Sequence, residues 1–303
     1  MASIEREGIL RPRQLLLNEP LKRHTTFKIG GPADIMALPE NSEQIAFLIK
    51  KLTELGARYM IIGNGSNLLF PDEGLRGVII KIGENFSDLE IKDNVLTAQS
   101  GRQLSSAAAA AAEAGLSGME FASGIPGSVG GGVFMNAGAY DGEIKHIFAG
   151  AEVMYPSGEI RILSKPEMNF GYRHSIAMDE NLVILSAIFK LTRDERSNIQ
   201  TRINVLTQKR REKQPIEMPS AGSVFKRPEG YFAGKLISDA GLRGFIIGGA
   251  QVSEKHAGFI VNKGGATSDD VRRLINHIQV TVLKQFGVLL QPEIRIIAAE
   301  VGK

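Results

Sequence analysis

The chain has 303 residues, 43% of them hydrophobic and 23% charged, which is typical of a globular protein of about two domains. Its net charge of +3 is too small to favour nucleic acid as the main partner. Cysteine is absent, which excludes disulfides, thiolate-ligated metals and a cysteine nucleophile. The N-terminus has no apolar signal-peptide core, and no apolar run is long enough to predict a membrane helix. We therefore expect a cytoplasmic protein with no membrane partner. As a separate expectation, we predict a monomer.

Residues 1–83 carry a β-α-β pattern. Residues 33–38 resemble a strand, and Asn41 follows as a helix N-cap with Gln44 at the third helical position. The periodic apolar residues behind Asn41 end at Gly56, a typical helix stop. Further strands are predicted at residues 59–62 and 78–82, and a turn of special geometry follows the first of them.

Residues 84–193 are rich in short strands. They are predicted at residues 88–91, 95–98, 151–155, 160–163 and 182–191, and the Pro156-Ser157-Gly158 turn predicts a hairpin. One helix is centred on residues 107–112 and ends at Gly115. Its alanine run predicts tight packing against a neighbour, because alanine favours helix and has almost no side chain.

Residues 194–303 mix helices and strands. Helices are predicted at residues 195–212 and 234–240, followed by strands at 250–252 and 258–261. A long amphipathic helix begins after Thr267, which is predicted to cap it together with Asp270. A final strand is predicted at residues 293–298.

The segment 121–140 reads FASGIPGSVGGGVFMNAGAY and contains no charged residue. Its length approaches that of a membrane span, but its glycines, Pro126 and Asn136 make it a poor helix former. Glycine removes the Cβ and permits positive φ, so that backbone N–H groups can touch a ligand. The segment is typical of backbone that lies against a large planar ligand with a polar tail, such as a nucleotide cofactor.

A second glycine-rich segment, GNGSN at residues 63–67, directly follows a predicted strand. Its N–H, hydroxyl and amide groups could bind a diphosphate, although the pattern is also that of an ordinary β-turn. It is not a Rossmann fingerprint, because Leu68 stands where the third glycine belongs, and it is not a P-loop. Two such segments in one chain favour a shared nucleotide ligand, with the diphosphate on the first and a planar ring along the second.

Two residues of the last region are candidates for chemistry. Ser223 lies between small residues and is followed by Lys226 and Arg227, so it could donate a proton. It also matches the S-x-x-K motif of penicillin-recognising enzymes, but their companion motifs are missing. Alternatively, Ser223 satisfies backbone groups at the start of a strand. Glu293 is a lone carboxylate before an apolar strand, and is either functional or paired with Arg295.

The remaining charged and metal-binding residue types are less informative. The basic run at 201–215, which includes Arg202 and Lys213, is either a solvated helix face or faces an anionic substrate. The five histidines have no metal-ligand spacing, so no metal site is predicted.

In this order, the motifs resemble the UDP-N-acetylenolpyruvoylglucosamine reductase family from about His24 to Ile297. The matching segments are TTFKIGGPAD, GNGSNLL, SGIPGSVGGGVFMNAGAY, FGYRHS, AGSVFK, LISDAGLRG, VSEKHAGFIVN and PEIR. The resemblance implies an α+β protein with a vanillyl-alcohol-oxidase/PCMH-type FAD-binding fold in two lobes, residues 1–83 and 84–193. A C-terminal α+β substrate-binding domain would occupy residues 194–303.

The resemblance also implies a reaction. It is the NADPH-dependent reduction of UDP-N-acetylglucosamine enolpyruvate to UDP-N-acetylmuramate through bound FAD, a cytoplasmic step of peptidoglycan precursor synthesis. Hydride would reach C3 of the enolpyruvyl group by way of FAD. Arg173 and Glu293, the latter protonated or sharing a proton, would stabilise the negative charge at C2, and Ser223 would protonate that carbon.

The same resemblance assigns binding roles. FAD would be held by Gly63, Asn64, Gly65, Ser66, Asn67, Leu68, Ser123, Gly124, Ile125, Pro126, Gly127, Ser128, Gly130, Gly131, Asn136 and Gly138. The substrate would be held by Tyr172, Lys213, Lys226 and Arg227, with Lys213 and then Arg227 as the first choices for the UDP diphosphate.

Two departures from the family pattern and two rival hypotheses accompany these assignments. The chain lacks the tyrosine-bearing insertion that some members carry after the YRxS motif, so it represents a shorter subtype. Arg227 also replaces an asparagine that is frequent in the family.

The rivals are an FAD oxidase of a small alcohol or sugar, whose reduced flavin O₂ would reoxidise, and a non-enzymatic nucleotide-binding module, which would bind a UDP-sugar without flavin.

Overall fold

The computed structural model describes residues 8–299. The chain folds into two compact units, each assembled from separate segments. The first unit comprises Met1–Leu17, Ile35–Asn64 and Gly77–Gln208, and the second comprises Asn18–Asp34, Gly65–Arg76 and Lys209–Lys303. The three-part division at residues 83/84 and 193/194 stays a prediction. None of the helices within residues 8–299 is both long and apolar enough to cross a membrane.

Short strands dominate the secondary structure. They are β1 (Leu15–Pro20), β2 (Pro32–Ala37), β3 (Tyr59–Ile62), β4 (Leu68–Leu69), β5 (Leu75–Lys81), β6 (Leu89–Lys92), β7 (Val95–Gln99), β8 (Leu116–Ser117), β9 (Gly138–Ala139), β10 (Gly142–Glu143), β11 (Phe148–Met154), β12 (Ile160–Ser164), β13 (Val183–Lys190), β14 (Thr192–Arg193), β15 (Ser220–Ser223), β16 (Ile246–Ile247), β17 (Ala250–Val252), β18 (Phe259–Asn262) and β19 (Arg295–Ile296).

Helices of very different length separate these strands. They are α1 (Ser42–Glu54), α2 (Leu104–Glu113), α3 (Val129–Phe134), α4 (Ile144–Ile147), α5 (Ile176–Asp179), α6 (Arg196–Lys213), α7 (Ala233–Asp239) and α8 (Ser268–Phe286). Single 3₁₀ turns occur at Pro12–Gln14, Leu21–His24, Glu84–Phe86 and Glu120–Ala122.

The predicted β-α-β pattern is confirmed. The first sheet has the strand order β1-β2-β5-β3, and β3 runs parallel to β5. The N-terminus of α1 is capped by Asn41, whose side chain accepts a hydrogen bond from the Gln44 N–H at 2.9 Å. The apolar face of α1, including the fully buried Ile45 and Leu48, packs in the core of the first unit.

The antiparallel sheet of the first unit shares a hydrophobic core with the alanine helix. Its strand order is β12-β11-β13-β7-β6, and the predicted Pro156-Ser157-Gly158 turn connects β11 to β12. Ala107, Ala108 and Ala111 of α2 are at most 2% exposed, which confirms the predicted tight packing.

The glycine-rich segment contains the helix α3, which sequence propensity did not predict. Tertiary packing of its buried Val129 and Val133 outweighs the cost of placing glycines in a helix.

The second unit is built on the sheet β15-β18-β17-β16, with α7 and α8 in the same core. Thr267 and Asp270 form the predicted capping box of α8. Asp72 adds two hydrogen bonds from Ser268 and Asp269 at 2.7 and 3.1 Å, a contact that local sequence does not indicate. The predicted final strand is wrong in extent, since β19 is Arg295–Ile296 only, paired in parallel with β4.

Candidate active site

Glycines in the uncharged segment allow close approach of backbone to other parts of the first unit. A Cβ on Gly130 would lie 2.6 Å from the Ser100 Cβ, so Gly130 is required for packing inside the protein. Ser128 caps α3 by accepting the Gly131 N–H at 3.3 Å. Gly124, Pro126 and Gly131 are exposed, so uncharged backbone reaches the surface at these three positions.

The first unit brings the two glycine-rich segments together. The Asn64 side chain donates to the Pro126 carbonyl at 3.3 Å. A Cβ on Gly63 would lie 2.2 Å from the Ser128 Oγ, so a larger residue there would displace the Ser128 hydroxyl. The two segments are therefore close enough within this unit for one ligand to contact both, which the sequence predicted.

Two buried polar atoms beside α3 lack partners within residues 8–299. They are the Ser100 Oγ and the Arg102 Nε, on the turn between β7 and α2. The backbone carbonyls of Ser100 and Arg102 accept the N–H groups of Gly130 and Val129 at 2.9 and 2.7 Å. Unsatisfied buried donors next to exposed, uncharged backbone fit the needs of a dinucleotide cofactor. Sequence reasoning missed both residues, although the SGR turn between a predicted strand and helix was a usable signal.

The other predicted cofactor residues of this segment lie in its turns. The Ser123 Oγ donates to the Glu120 carbonyl at 2.8 Å, and the Ile125 N–H donates to the Ala122 carbonyl at 3.0 Å. The Gly127 carbonyl accepts the Leu104 N–H at 3.0 Å. These bonds fix the backbone course of the segment and leave its exposed face to a ligand.

Asn136 is fully buried and its amide is used within the protein. Its Nδ2 donates to the Gly171 carbonyl at 2.8 Å and to the Glu143 carboxylate at 3.1 Å, while its Oδ1 accepts the Lys145 N–H at 3.0 Å. Desolvation alone would raise the pKa of the Glu143 carboxyl, but bonds from Lys145 and Asn136 outweigh it and lower the pKa.

Arg173 lies in a tight turn with a left-handed backbone, φ 54°, a region that few non-glycine residues occupy. The Gly171 N–H donates to the His174 carbonyl at 3.0 Å across this turn. The Arg173 guanidinium donates to the Gly138 carbonyl at 3.2 Å and lies 5.1 Å from the ring centre of Tyr172. Tyr172 is half exposed and Arg173 is partly exposed, so both residues reach the surface of the unit.

In the second unit, Ser223 ends an irregular strand. The pairing of β15 with β18 shifts register between Ser220 and Ser223, and Gly222 there has φ 80°. The Val224 N–H then donates to the Gly258 carbonyl at 2.9 Å. The bulge leaves Ser223 partly exposed while its neighbour Val224 is buried, an arrangement common at functional sites.

Backbone pairing places Glu293 opposite Val224, the residue that follows Ser223. The Glu293 N–H donates to the Val224 carbonyl at 2.7 Å, and the Lys226 N–H donates to the Gln291 carbonyl at 2.8 Å. Residues 223–226 and 291–294 thus run antiparallel, with a bridge between Phe225 and Pro292. The sequence predicted both residues as candidates but not that they are neighbours.

The second half of the GNGSN segment contacts Glu293 as well. The Asn67 side chain donates to the Glu293 carbonyl at 3.2 Å, and the Asn67 carbonyl accepts the Arg295 N–H at 2.9 Å. Gly65 has φ 60°, and a Cβ on it would lie 2.2 Å from the His24 carbonyl oxygen. The Ser66 carbonyl accepts from Thr26 at 3.5 Å, and Leu68 is buried in β4.

The predicted phosphate-binding cations are on the surface. Lys213 is exposed at the end of α6, and Lys226 and Arg227 are exposed after Ser223. The Arg227 guanidinium lies 4.1 Å from the ring centre of Phe232, a cation–π distance. Arg202 of the same basic run instead pairs with Glu120 and Asp194 in the first unit, so part of the run has a structural role.

Comparison with known proteins identifies the class of this protein. A family profile described as an FAD binding domain matches residues 33–164, and one described as the UDP-N-acetylenolpyruvoylglucosamine reductase C-terminal domain matches residues 214–297. The protein is therefore an FAD-dependent oxidoreductase of α+β fold, as the sequence predicted.

Relatives that match almost the whole chain identify the family within this class of oxidoreductase. The UDP-N-acetylenolpyruvoylglucosamine reductase of Agathobacter rectalis is 53% identical over 295 residues, covering 93% of this chain and 94% of that protein. The Pediococcus pentosaceus reductase is 50% identical over 287 residues, with 95% of each covered. The crystal structure of the Thermus caldophilus enzyme is 34% identical, with a TM-score of 0.80, and covers 93% of this chain and 97% of that one. The chain belongs to the UDP-N-acetylenolpyruvoylglucosamine reductase family.

Proposed function

We propose that this protein uses NADPH to reduce UDP-N-acetylglucosamine enolpyruvate to UDP-N-acetylmuramate through bound FAD. The reaction is a step of peptidoglycan precursor synthesis, and so contributes to cell-wall formation, cell shape and division. Membership of the reductase family and the FAD-binding domain support the flavin-dependent reduction. The NADPH specificity and the cytoplasmic location rest on the resemblance drawn from the sequence motifs.

The observation that carries the proposal is the pairing of residues 223–226 with 291–294. It places Glu293 opposite Val224, the residue after Ser223, so that a proton-donating hydroxyl and a carboxyl lie on adjacent antiparallel segments, although they are 70 residues apart in sequence (293 − 223). Adding hydrogen across the enolpyruvyl double bond requires a proton donor at C2 and a group that stabilises the negative charge developing there. Ser223 and Glu293 provide these two functions within one unit.

Each residue has a defined task in this mechanism. When bound, FAD supplies the transfer of two electrons from NADPH as a hydride to C3 of the enolpyruvyl group. The Ser223 hydroxyl delivers the proton to C2, and the Glu293 carboxyl stabilises the charge formed next to it. Arg173 provides a permanent positive charge for the same purpose, since guanidinium stays protonated at any physiological pH.

Substrate binding uses the exposed cations. Lys213 binds the diphosphate of the UDP group, with Arg227 as the second cation and Lys226 nearby in sequence. Tyr172 contacts the substrate beside Arg173, where its ring is half exposed. Arg227 is oriented by the ring of Phe232, so its charge is held in place at small entropic cost.

The purified protein tests the proposal directly. We expect a yellow protein, or one that becomes yellow with FAD, whose flavin is bleached by NADPH and recovers on adding the UDP-enolpyruvyl sugar. Recovery with O₂ but not with the UDP-sugar would instead indicate an oxidase. Tight UDP-sugar binding by a protein that cannot take up flavin would indicate a nucleotide-binding module.

A further inference from the structure

A reciprocal pair of hydrogen bonds joins the turn that carries Arg173 to the end of the glycine-rich segment. Asn136 donates to the Gly171 carbonyl at 2.8 Å, and Arg173 donates in the opposite direction to the Gly138 carbonyl at 3.2 Å. We call residues 136–138 and 171–173, so joined, the arginine clasp. The two segments are 35 residues apart in sequence, so the clasp is a tertiary feature.

The Gly138 side of the clasp has a fixed position. A Cβ on Gly138 would lie 2.6 Å from the Gly142 carbonyl oxygen and 2.7 Å from the Glu143 Cγ. β9 and β10 pair there, with Gly138 opposite Glu143. The carbonyl that accepts from Arg173 therefore belongs to a short, tightly packed hairpin.

The Arg173 side of the clasp needs outside support. A left-handed backbone is strained for a non-glycine residue, so such a turn is retained only when its surroundings hold it. Asn136 holds it by its bond to the Gly171 carbonyl, two residues before Arg173. Strain that is maintained at a charged, partly exposed side chain is typical of a functional position.

The Asn136 side chain has little capacity left for a ligand. Both of its N–H donors and its oxygen are bonded to Gly171, Glu143 and Lys145, and the residue is 0% exposed. We propose that Asn136 is a positioning residue that orients the Arg173 guanidinium through the arginine clasp, and that its side chain does not bind FAD. This proposal rests on the role given to Arg173 in the proposed function.

The test is a double-mutant cycle on the flavin-loaded enzyme, with Asn136→Asp and Arg173→Ala singly and together. Asp keeps the size and the acceptor of Asn136 but removes both donors. The two half-reactions are followed by flavin absorbance: reduction by NADPH, and reoxidation by the UDP-enolpyruvyl sugar. Gln14→Glu is the matched control, because Gln14 is also a buried amide of the first unit, bonded to Leu38, Gln44 and Arg11.

We expect Asn136→Asp to slow reoxidation about 10- to 100-fold, the effect of misplacing a catalytic group by about 1 Å, and to leave reduction by NADPH within about twofold. In the Arg173→Ala background, the same substitution should change reoxidation by less than about twofold, because the group it positions is gone. Gln14→Glu should leave both half-reactions near wild type. If Asn136→Asp does not fold, Asn136→Ser, which adds no charge next to Glu143, enters the same cycle.

Three results would overturn the proposal. Equal losses in the two backgrounds would mean that Asn136 acts independently of Arg173. Slower reduction by NADPH, or loss of flavin from Asn136→Asp alone, would make Asn136 a cofactor residue. Wild-type reoxidation by Arg173→Ala would remove the role of Arg173 in the proposed function, and the positioning role with it; the first two results leave that function intact.

Discussion

In the first unit, side chains hold the candidate catalytic residue, whereas in the second unit backbone pairing does. Arg173 depends on the Asn136 amide and on its own bond to Gly138. Ser223 and Glu293 depend on main-chain bonds between residues 223–226 and 291–294. One substitution removes a hydrogen bond that a side chain makes. A hydrogen bond between main-chain groups remains after most substitutions, because the main chain is unchanged. The two units should therefore differ in how far substitutions around the site affect the reaction.

Arg173 itself should give the largest effect. Arg173→Ala removes charge stabilisation at C2 and should slow reoxidation by about 10²–10³-fold. Arg173→Gly should lose as much activity but have the higher Tm of the two, because glycine occupies φ 54° without strain. Stopped-flow flavin absorbance and thermal unfolding measure the two effects. An Arg173→Gly protein less stable than Arg173→Ala would mean that the turn is not strained.

Ser223→Ala should come next. Loss of the proton donor should slow turnover by about 10²-fold or more while flavin reduction by NADPH stays intact. Ser220→Ala is the matched control on the same strand, since the Ser220 contact with Thr26 uses its backbone carbonyl. Equal turnover by the Ser223 and Ser220 variants would show that the proton donor is another group.

Asn67→Ala tests whether the main-chain hydrogen bonds of the second unit are enough to hold Glu293 in place. It removes the bond to the Glu293 carbonyl, but Glu293 stays fixed by its N–H bond to Val224 and by the pairing of β4 with β19. We expect reoxidation of the flavin-saturated variant to fall by no more than about threefold, far less than in Asn136→Asp. A loss as large as that of Asn136→Asp would contradict the difference between the units.

The smallest expected effect is on thermal stability and its pH dependence, through the ion pair between Glu120 and Arg202. Burial alone would raise the pKa of the Glu120 carboxyl, but bonds from the backbone, Arg202 and Ser117 hold it below its ordinary value. A lowered folded pKa stabilises the protein above the ordinary glutamate pKa of about 4.3, and that stability is lost as pH falls through the folded value. Arg202→Met should lower the Tm by about 2–4 °C at neutral pH.

The pH dependence provides the check on this last prediction. The Tm difference between wild type and Arg202→Met should shrink as pH falls below about 4, because Glu120 and Asp194 no longer pair with Arg202 once they are protonated. Arg196→Met is the control, since Arg196 is exposed on the same helix and has no ion pair within residues 8–299. A Tm difference that does not shrink at any acidic pH at which the protein still folds would exclude the ion pairs as its cause.

Local signals in the sequence predicted much of the fold. The caps at Asn41 and Thr267, the strand Tyr59–Ile62 and the buried alanines of α2 were all found from nearby residues. β15 was missed because its bulge at Gly222 disrupts the alternation that identifies strands. α3 was missed because its glycines disfavour helix locally, and only its buried packing stabilises it.

The sequence by itself determined the class of protein, its cofactor and the residue types of the site, because motifs such as GNGSN, FGYR, AGSVFK and PEIR are contiguous in the chain. Tertiary structure alone decided which of those residues are neighbours. Asn67 meets Glu293 across 226 residues, and Asn136 meets Gly171 across 35. Hydrogen-bond partners so distant in sequence leave no local pattern, so the sequence predicts Asn136 as a cofactor residue but does not indicate the bond that its buried amide makes to Gly171.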